Sequence, residues 1–238
     1  MKKKTKFIYF MAVLLVFAFA QMAMADTIKT VDGSGYGPYQ TGSGGEFTLL
    51  PDASLAWVVN GYSTVARNQG TTPGTFQSFC IEVGETISAG VTYNAFFNSE
   101  AVAGGTGGPS PDPLSIGTAD LYYNFAKGTL AGYNYTGTTS ERKSSAGQLQ
   151  NVIWWLEGEA GDPGAGNTFR GYIITNYGDF LAASADNNGA FNVAVLNLYT
   201  LQGGLAQDVL VVTPIPAAVW LLGSGLLGLV GIRRRFKK

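Results

Sequence analysis

An apolar run near each end of the chain, each flanked by a basic cluster, limits what can fold. At the N-terminus Lys2, Lys3, Lys4 and Lys6 precede an uncharged run from Phe7 to Ala20, followed by the small-x-small triplet Ala23-Met24-Ala25. That three-part order is the pattern of a secretory signal peptide, and the run is shorter than the roughly 20 residues a spanning helix needs. It predicts a signal over residues 1–25, cleaved after Ala25, with a mature start at Asp26. At the other end Ala217 to Ile232 carries no charge, and Arg233, Arg234, Arg235, Lys237 and Lys238 follow. A basic cluster beside an apolar run marks the cytoplasmic side of a single span, so residues 26–213 are expected outside the inner membrane.

Setting the ends aside changes the charge balance. The body keeps Lys29, Arg67, Lys127, Arg142, Lys143 and Arg170 as its basic residues, while all 16 Asp and Glu of the chain lie within it. Its net charge is near −10, although the whole chain reads −1. A surface of that sign argues against a nucleic-acid partner, whose phosphates need a basic face. The single cysteine, Cys80, excludes an internal disulfide framework. The absence of histidine removes a Ser-His-Asp triad, a Cys-His protease and the common zinc sites.

Along the body, residues 26–45 read as a Gly-rich lead-in with little pattern. Segments 46–52 and 55–66 read as strands on their β-branched and aromatic content, and 75–97 as a strand pair. In that pair Phe79, Ile81 and Val83 alternate to one face and Cys80 and Glu82 to the other. Residues 101–113 read as a Gly- and Pro-rich loop. A helix is predicted from an N-cap at Ser115 to a stop at Gly128, and a second over about 141–159 with Ala146, Leu149, Val152, Ile153 and Leu156 as its buried stripe. A third short helix over 169–182 and closing strands within 190–213 complete an α+β, strand-rich domain over 46–212 with a helical insertion between strands.

The tail carries more than a span. Pro214-Ile215-Pro216 stands directly before the apolar run, the arginine cluster directly after it, and residues 213–238 together resemble the PEP-CTERM sorting signal of bacteria that make exopolysaccharide. Ile215 stands where that signal usually has Glu. The resemblance implies processing by an exosortase, cleavage near Pro216, and delivery to the cell surface or extracellular matrix after a transient stay in the inner membrane.

Two residues of the body are out of place by ordinary chemistry. An exported chain keeps one unpaired thiol at Cys80, and a primary amide, Gln150, sits beside the apolar stripe of the second helix. One reaction accounts for both: the Cys80 sulfur attacks the Gln150 side-chain carbonyl and expels ammonia, leaving an internal thioester. A buried aromatic setting would keep water from such a bond, and Phe79 and Trp154 adjoin the two reactants in sequence. Phe79-Cys80-Ile81 and Gln150-Asn151-Val152-Ile153-Trp154 resemble the two signatures of the thioester domains of bacterial surface adhesins. Leu149 stands where that family often has Thr. The resemblance implies covalent coupling to amines on another surface.

Other readings are weaker in the residues. Glu82 with Glu85, or Glu157 with Glu159, are candidate paired carboxylates for glycoside hydrolysis, but solvated faces and helix ends explain such charges. Residues 185–189, Ala-Asp-Asn-Asn-Gly, read first as a turn, with Ca²⁺ contact as the alternative. The expectation is therefore a non-enzymatic, exosortase-sorted surface or matrix protein needing no cofactor or metal, whose body attaches to surface amines through Cys80 and Gln150. The alternative is a non-covalent component of the polysaccharide matrix.

Overall fold

The computed structural model describes residues 26–31, 36–42, 44–103 and 109–213. The expected signal with its cleavage at Ala25, the sorting motif Pro214 to Pro216 and the Arg233 to Arg235 stop lie outside the described residues. Among the described residues no helix is long and apolar enough to cross a membrane.

The chain forms a mixed α/β domain dominated by a nearly closed antiparallel sheet. Among the described residues there are ten strands: β1 (Thr27–Thr30), β2 (Gln40–Thr41), β3 (Gly44–Gly45), β4 (Phe47–Pro51), β5 (Phe76–Ser78), β6 (Thr92–Asn98), β7 (Glu100–Ala101), β8 (Asp112–Pro113), β9 (Val193–Thr200) and β10 (Val209–Val212). Six of them make the main sheet in the order β10-β9-β6-β1-β4-β5. The two edges then approach each other. Beyond β5, Leu210 donates its N–H to the Phe79 carbonyl at 3.1 Å, Ile81 donates to the Asp208 carbonyl at 3.1 Å, and Cys80 pairs with Val209 in an antiparallel bridge. Closure of this kind removes the open edges that would otherwise be free to pair with other chains.

The helices lie between the sixth and ninth strands, as the expected insertion does. They are α1 (Ile116–Lys127), α2 (Thr139–Leu156), α3 (Thr168–Tyr177) and the single turn α4 (Phe180–Ala183). Ser115 caps α1 by accepting from Thr118 N, and Gly128 ends it in the left-handed conformation, φ 73°, that a residue without a Cβ adopts without strain. The start of α2 is a capping box in which Thr138 and Glu141 satisfy each other's backbone N–H. Its predicted stripe of Ala146, Leu149, Val152, Ile153 and Leu156 is wholly buried. From α1 the hydroxyl of Tyr122 reaches across the barrel seam, 2.9 Å from both the Gln77 carbonyl of β5 and the Leu210 carbonyl of β10. It acts as a staple where the backbone ladder is incomplete.

Five readings of the sequence are corrected. The described residues between 26 and 45 are part of the fold rather than a lead-in: β1 lies between β4 and β6, and β2 with β3 forms a small hairpin against α2. The segment 55–66 is not a strand but contains a 3-10 helix, Ala56–Gly61. Its buried residues Leu55, Val58, Val59 and Tyr62 recur at a helical spacing, which outweighs β-branched content. The strands within 75–97 do not pair with each other, because β1 and β4 stand between them. Alternation fails past Cys80, where Cys80 and Glu82 are buried along with Phe79 and Ile81 while Val83 is 44% exposed. The predicted helix over 169–182 is two, broken at Gly178 and restarted by an Asp179 cap.

Candidate functional site

The seam of the barrel carries Cys80, and α2 brings Gln150 to it from 70 residues away. The Gln150 side chain is 1% exposed and held by three hydrogen bonds. Its Nε2 donates to the Cys80 carbonyl at 2.8 Å. Its Oε1 accepts from two backbone N–H groups, Cys80 at 3.2 Å and Gly45 at 3.3 Å. Two convergent N–H donors on one side-chain carbonyl oxygen polarise its carbon and stand ready for an oxyanion, the arrangement that stabilises tetrahedral intermediates in acyl transfer.

The hairpin of β2 and β3 covers this amide. A Cβ placed on Gly44 would lie 2.5 Å from Gln150 Cγ, 3.0 Å from its Cδ and 2.9 Å from the Trp154 ring, so the backbone approaches as closely as only glycine allows. Trp154 therefore stands beside the amide. Phe79 is placed differently. Its ring packs edge-on against Phe125 at 5.0 Å and Tyr122 at 6.4 Å, in the aromatic core, and successive side chains of an extended chain face opposite sides. The cover comes from Gly44 and Gly45, whose only signal in the sequence is a glycine cluster in what read as a lead-in. Gln148, two residues before Gln150, is turned away: its side-chain carbonyl accepts from Thr168 N and its backbone carbonyl from Asn167 Nδ2.

An ion pair holds the hairpin and α2 together. Arg142 meets Glu46 in a bidentate contact, Nε to Oε1 at 2.7 Å and Nη2 to Oε2 at 2.8 Å, and both side chains are buried. Tyr133 donates a further bond to Glu46, while Arg142 donates to the carbonyls of Tyr135 and Val65 and stacks 4.1 Å from the centre of the Tyr39 ring. Burial alone would lower the Arg142 pKa; the hydrogen bonds and charge of Glu46 outweigh it and hold the guanidinium above its ordinary value. Glu46 directly follows Gly45, so this pair fixes one of the two donors on Gln150.

Cys80 is 2% exposed, and burial first, then the charge of Glu85, push its thiol pKa up. It also lines a cleft of about 290 Å³ whose walls include Tyr36, Gln40, Phe47, Glu85 and Gln207. The cleft gives the seam a route to solvent.

The carboxylates read as solvated surface are mostly interior. Glu82, Glu157 and Glu159 are buried and Glu85 half-buried. Glu157 accepts from the hydroxyl of Ser115 at 2.6 Å, and burial pushes its pKa up to about 7. Glu159 accepts from Val83 N at 2.9 Å. One oxygen from each of Glu82, Glu85 and Asp208 falls within 4.8 Å of the others. Burial first, then the adjoining Glu82 carboxylate, lifts Glu85 to about 8; burial first, with the Glu82 charge adding to it and the Val102 N–H opposing, lifts Asp208 to about 6. At Asp186 the expected turn is present, with Asn188 N donating to its side chain.

Comparison of the chain with family models, with curated proteins and with solved structures returns no match.

Proposed function

We propose that the body is a covalent attachment module, exported and sorted to the cell surface or matrix, in which Cys80 and Gln150 form an internal thioester. In the forming step Cys80 Sγ bonds to Gln150 Cδ, the Cδ–Nε2 bond breaks, and the departing nitrogen takes the thiol proton and leaves as ammonia. In the coupling step a primary amine attacks Cδ, a C–N bond replaces the C–S bond, and a proton passes from the amine to the sulfur, restoring the thiol. The observation that supports this reading is the pair of N–H donors from Cys80 and Gly45 on Gln150 Oε1. They favour both addition steps, and the hairpin cover slows hydrolysis by limiting water. The cleft beside Cys80 is of a size to take the end of a lysine side chain.

A second reading has its own support. The intact amide is satisfied by three hydrogen bonds, so Gln150 also serves as a structural pin between α2 and the seam, in a matrix protein that binds without covalent chemistry. Methylamine distinguishes the two. Incorporation at Gln150 of the native chain, absent from Cys80→Ala, supports the thioester; no incorporation leaves the pin. The sorting proposal rests on the tail alone. Deleting Arg233 to Arg235 is expected to accumulate unprocessed precursor, and normal maturation of that variant would contradict it.

A further inference from the structure

The carboxylates of Glu82, Glu85 and Asp208 meet at the barrel seam, beside but apart from the Cys80–Gln150 pair. Glu82 is 2% exposed, and neither of its carboxylate oxygens has a hydrogen-bond partner among the described residues. Leaving a charged group buried without a partner costs several kcal/mol, so such groups are found paired, protonated or on a metal. The group facing Glu82 is another carboxyl, Glu85, which donates only while it keeps a proton. Asp208 brings a third carboxylate to the same point, and one proton bridges only two. The two ion pairs found among the described residues, Arg142 with Glu46 and Arg170 with Asp162, use none of these three.

We propose that Glu82, Glu85 and Asp208 form a binding site for one divalent cation, Ca²⁺, that clamps the barrel seam. The donor set is all carboxylate oxygen, which suits a hard cation and not the soft metals that take thiolate or imidazole. Oxygens about 2.4 Å from one Ca²⁺ lie at most about 5 Å apart, and the three converge within 4.8 Å. The backbone already orients the ligands: Asp208 N donates to Glu85 Oε2 at 3.1 Å and Val102 N to Asp208 Oδ2 at 2.7 Å, while Gln207 Nε2 donates to the Glu82 carbonyl at 2.8 Å. Glu82 and Glu85 follow the end of one sheet edge, and Asp208 precedes β10 on the other. A cation held by both joins the two edges where their backbone pairing is thinnest. Glu85 also lines the cleft, through which the ion and its remaining water ligands reach solvent. Part of the ligand set is thus half-buried, consistent with a weak site of the extracellular type, with a Kd of about 0.1–1 mM.

The test is calcium chloride alone, titrated into chelator-treated full chain in detergent, read by calorimetry and by thermal unfolding. The expected result is one saturable Ca²⁺ per chain and a Tm about 2–10 °C higher in 10 mM Ca²⁺ than in chelator. The Glu82→Gln/Asp208→Asn double variant, nearly isosteric, removes mutual repulsion and is expected to fold with a chelator-state Tm at or above that of the native chain, but without the calcium shift. Should that variant not fold, Glu85→Gln, at a half-buried position, is expected to weaken binding at least tenfold. Absence of both binding heat and Tm shift in the native chain overturns the proposal. So does a calcium shift that survives the substitutions, which would place the ion elsewhere, such as the Asp186 turn.

Discussion

Arg142→Met removes the one cation that neutralises Glu46. The variant loses the bidentate contact at 2.7 and 2.8 Å and the donors to the Tyr135 and Val65 carbonyls, and leaves Glu46 with the Tyr133 hydroxyl. Breaking a buried pair by removing one partner costs about 3–5 kcal/mol, because the remaining charge stays out of water. For a domain of this size that corresponds to a Tm lower by roughly 6–20 °C. Replacing both partners, Glu46→Leu with Arg142→Met, is expected to recover much of the loss, since no buried charge remains. Thermal unfolding at neutral pH measures both variants against the native chain. Because Glu46 anchors Gly45, the single variant should also take up less methylamine at a temperature where it is still folded. A Tm drop under about 3 °C, or a double variant as unstable as the single one, would refute the reasoning.

Three further outcomes follow from the same geometry. Gly44→Ala forces a methyl group into Gln150 and Trp154, so it should cost about 1–3 kcal/mol in denaturant unfolding and lower amine uptake with both reactants still present. Glu157 has a folded pKa of about 7 against an ordinary 4.5, so its burial is fully tolerated below about pH 4.5 and increasingly costly as pH rises through 7. The gap is worth about 3 kcal/mol, and Glu157→Gln should flatten that part of the stability–pH curve; an unchanged curve would show that the carboxyl titrates normally. Gln150→Ala should yield one titratable thiol per chain in denaturant where the native chain and Gln148→Ala yield none. Thiol counting must be done unfolded, because Cys80 is shielded by burial with or without a thioester.

What was legible in the sequence is what local chemistry writes. The Ser115 cap, the Gly128 stop and the apolar stripe of α2 placed two helices, because caps and a 3.6-residue period act within a few turns. Content misled where period should have ruled: Val58 and Val59 suggested a strand, yet the spacing of Leu55, Val58, Val59 and Tyr62 is helical. β1 is only four residues, too short to show alternation, and takes its conformation from β4 and β6, its neighbours in space. Cys80 and Gln150 stood out as two chemically awkward residues with short flanking motifs. Their surroundings did not. The Gly45 donor reaches Gln150 across 105 residues, the Glu46–Arg142 pair spans 96, and Asp208 joins Glu82 and Glu85 only through closure of the barrel. No local rule marks a carboxylate as interior when its partners are that distant.

The central claim is a covalent bond between Cys80 and Gln150, and the intact mass of the purified chain tests it most directly. Measured on the body, residues 26–213, beside Cys80→Ala, the native body should be lighter than the mass of those residues by one ammonia, the variant should match its own mass, and methylamine should add its full mass to the native body alone. A native mass equal to the sequence, unchanged by methylamine, would contradict the account and leave Gln150 as a hydrogen-bonded pin over an inert cysteine.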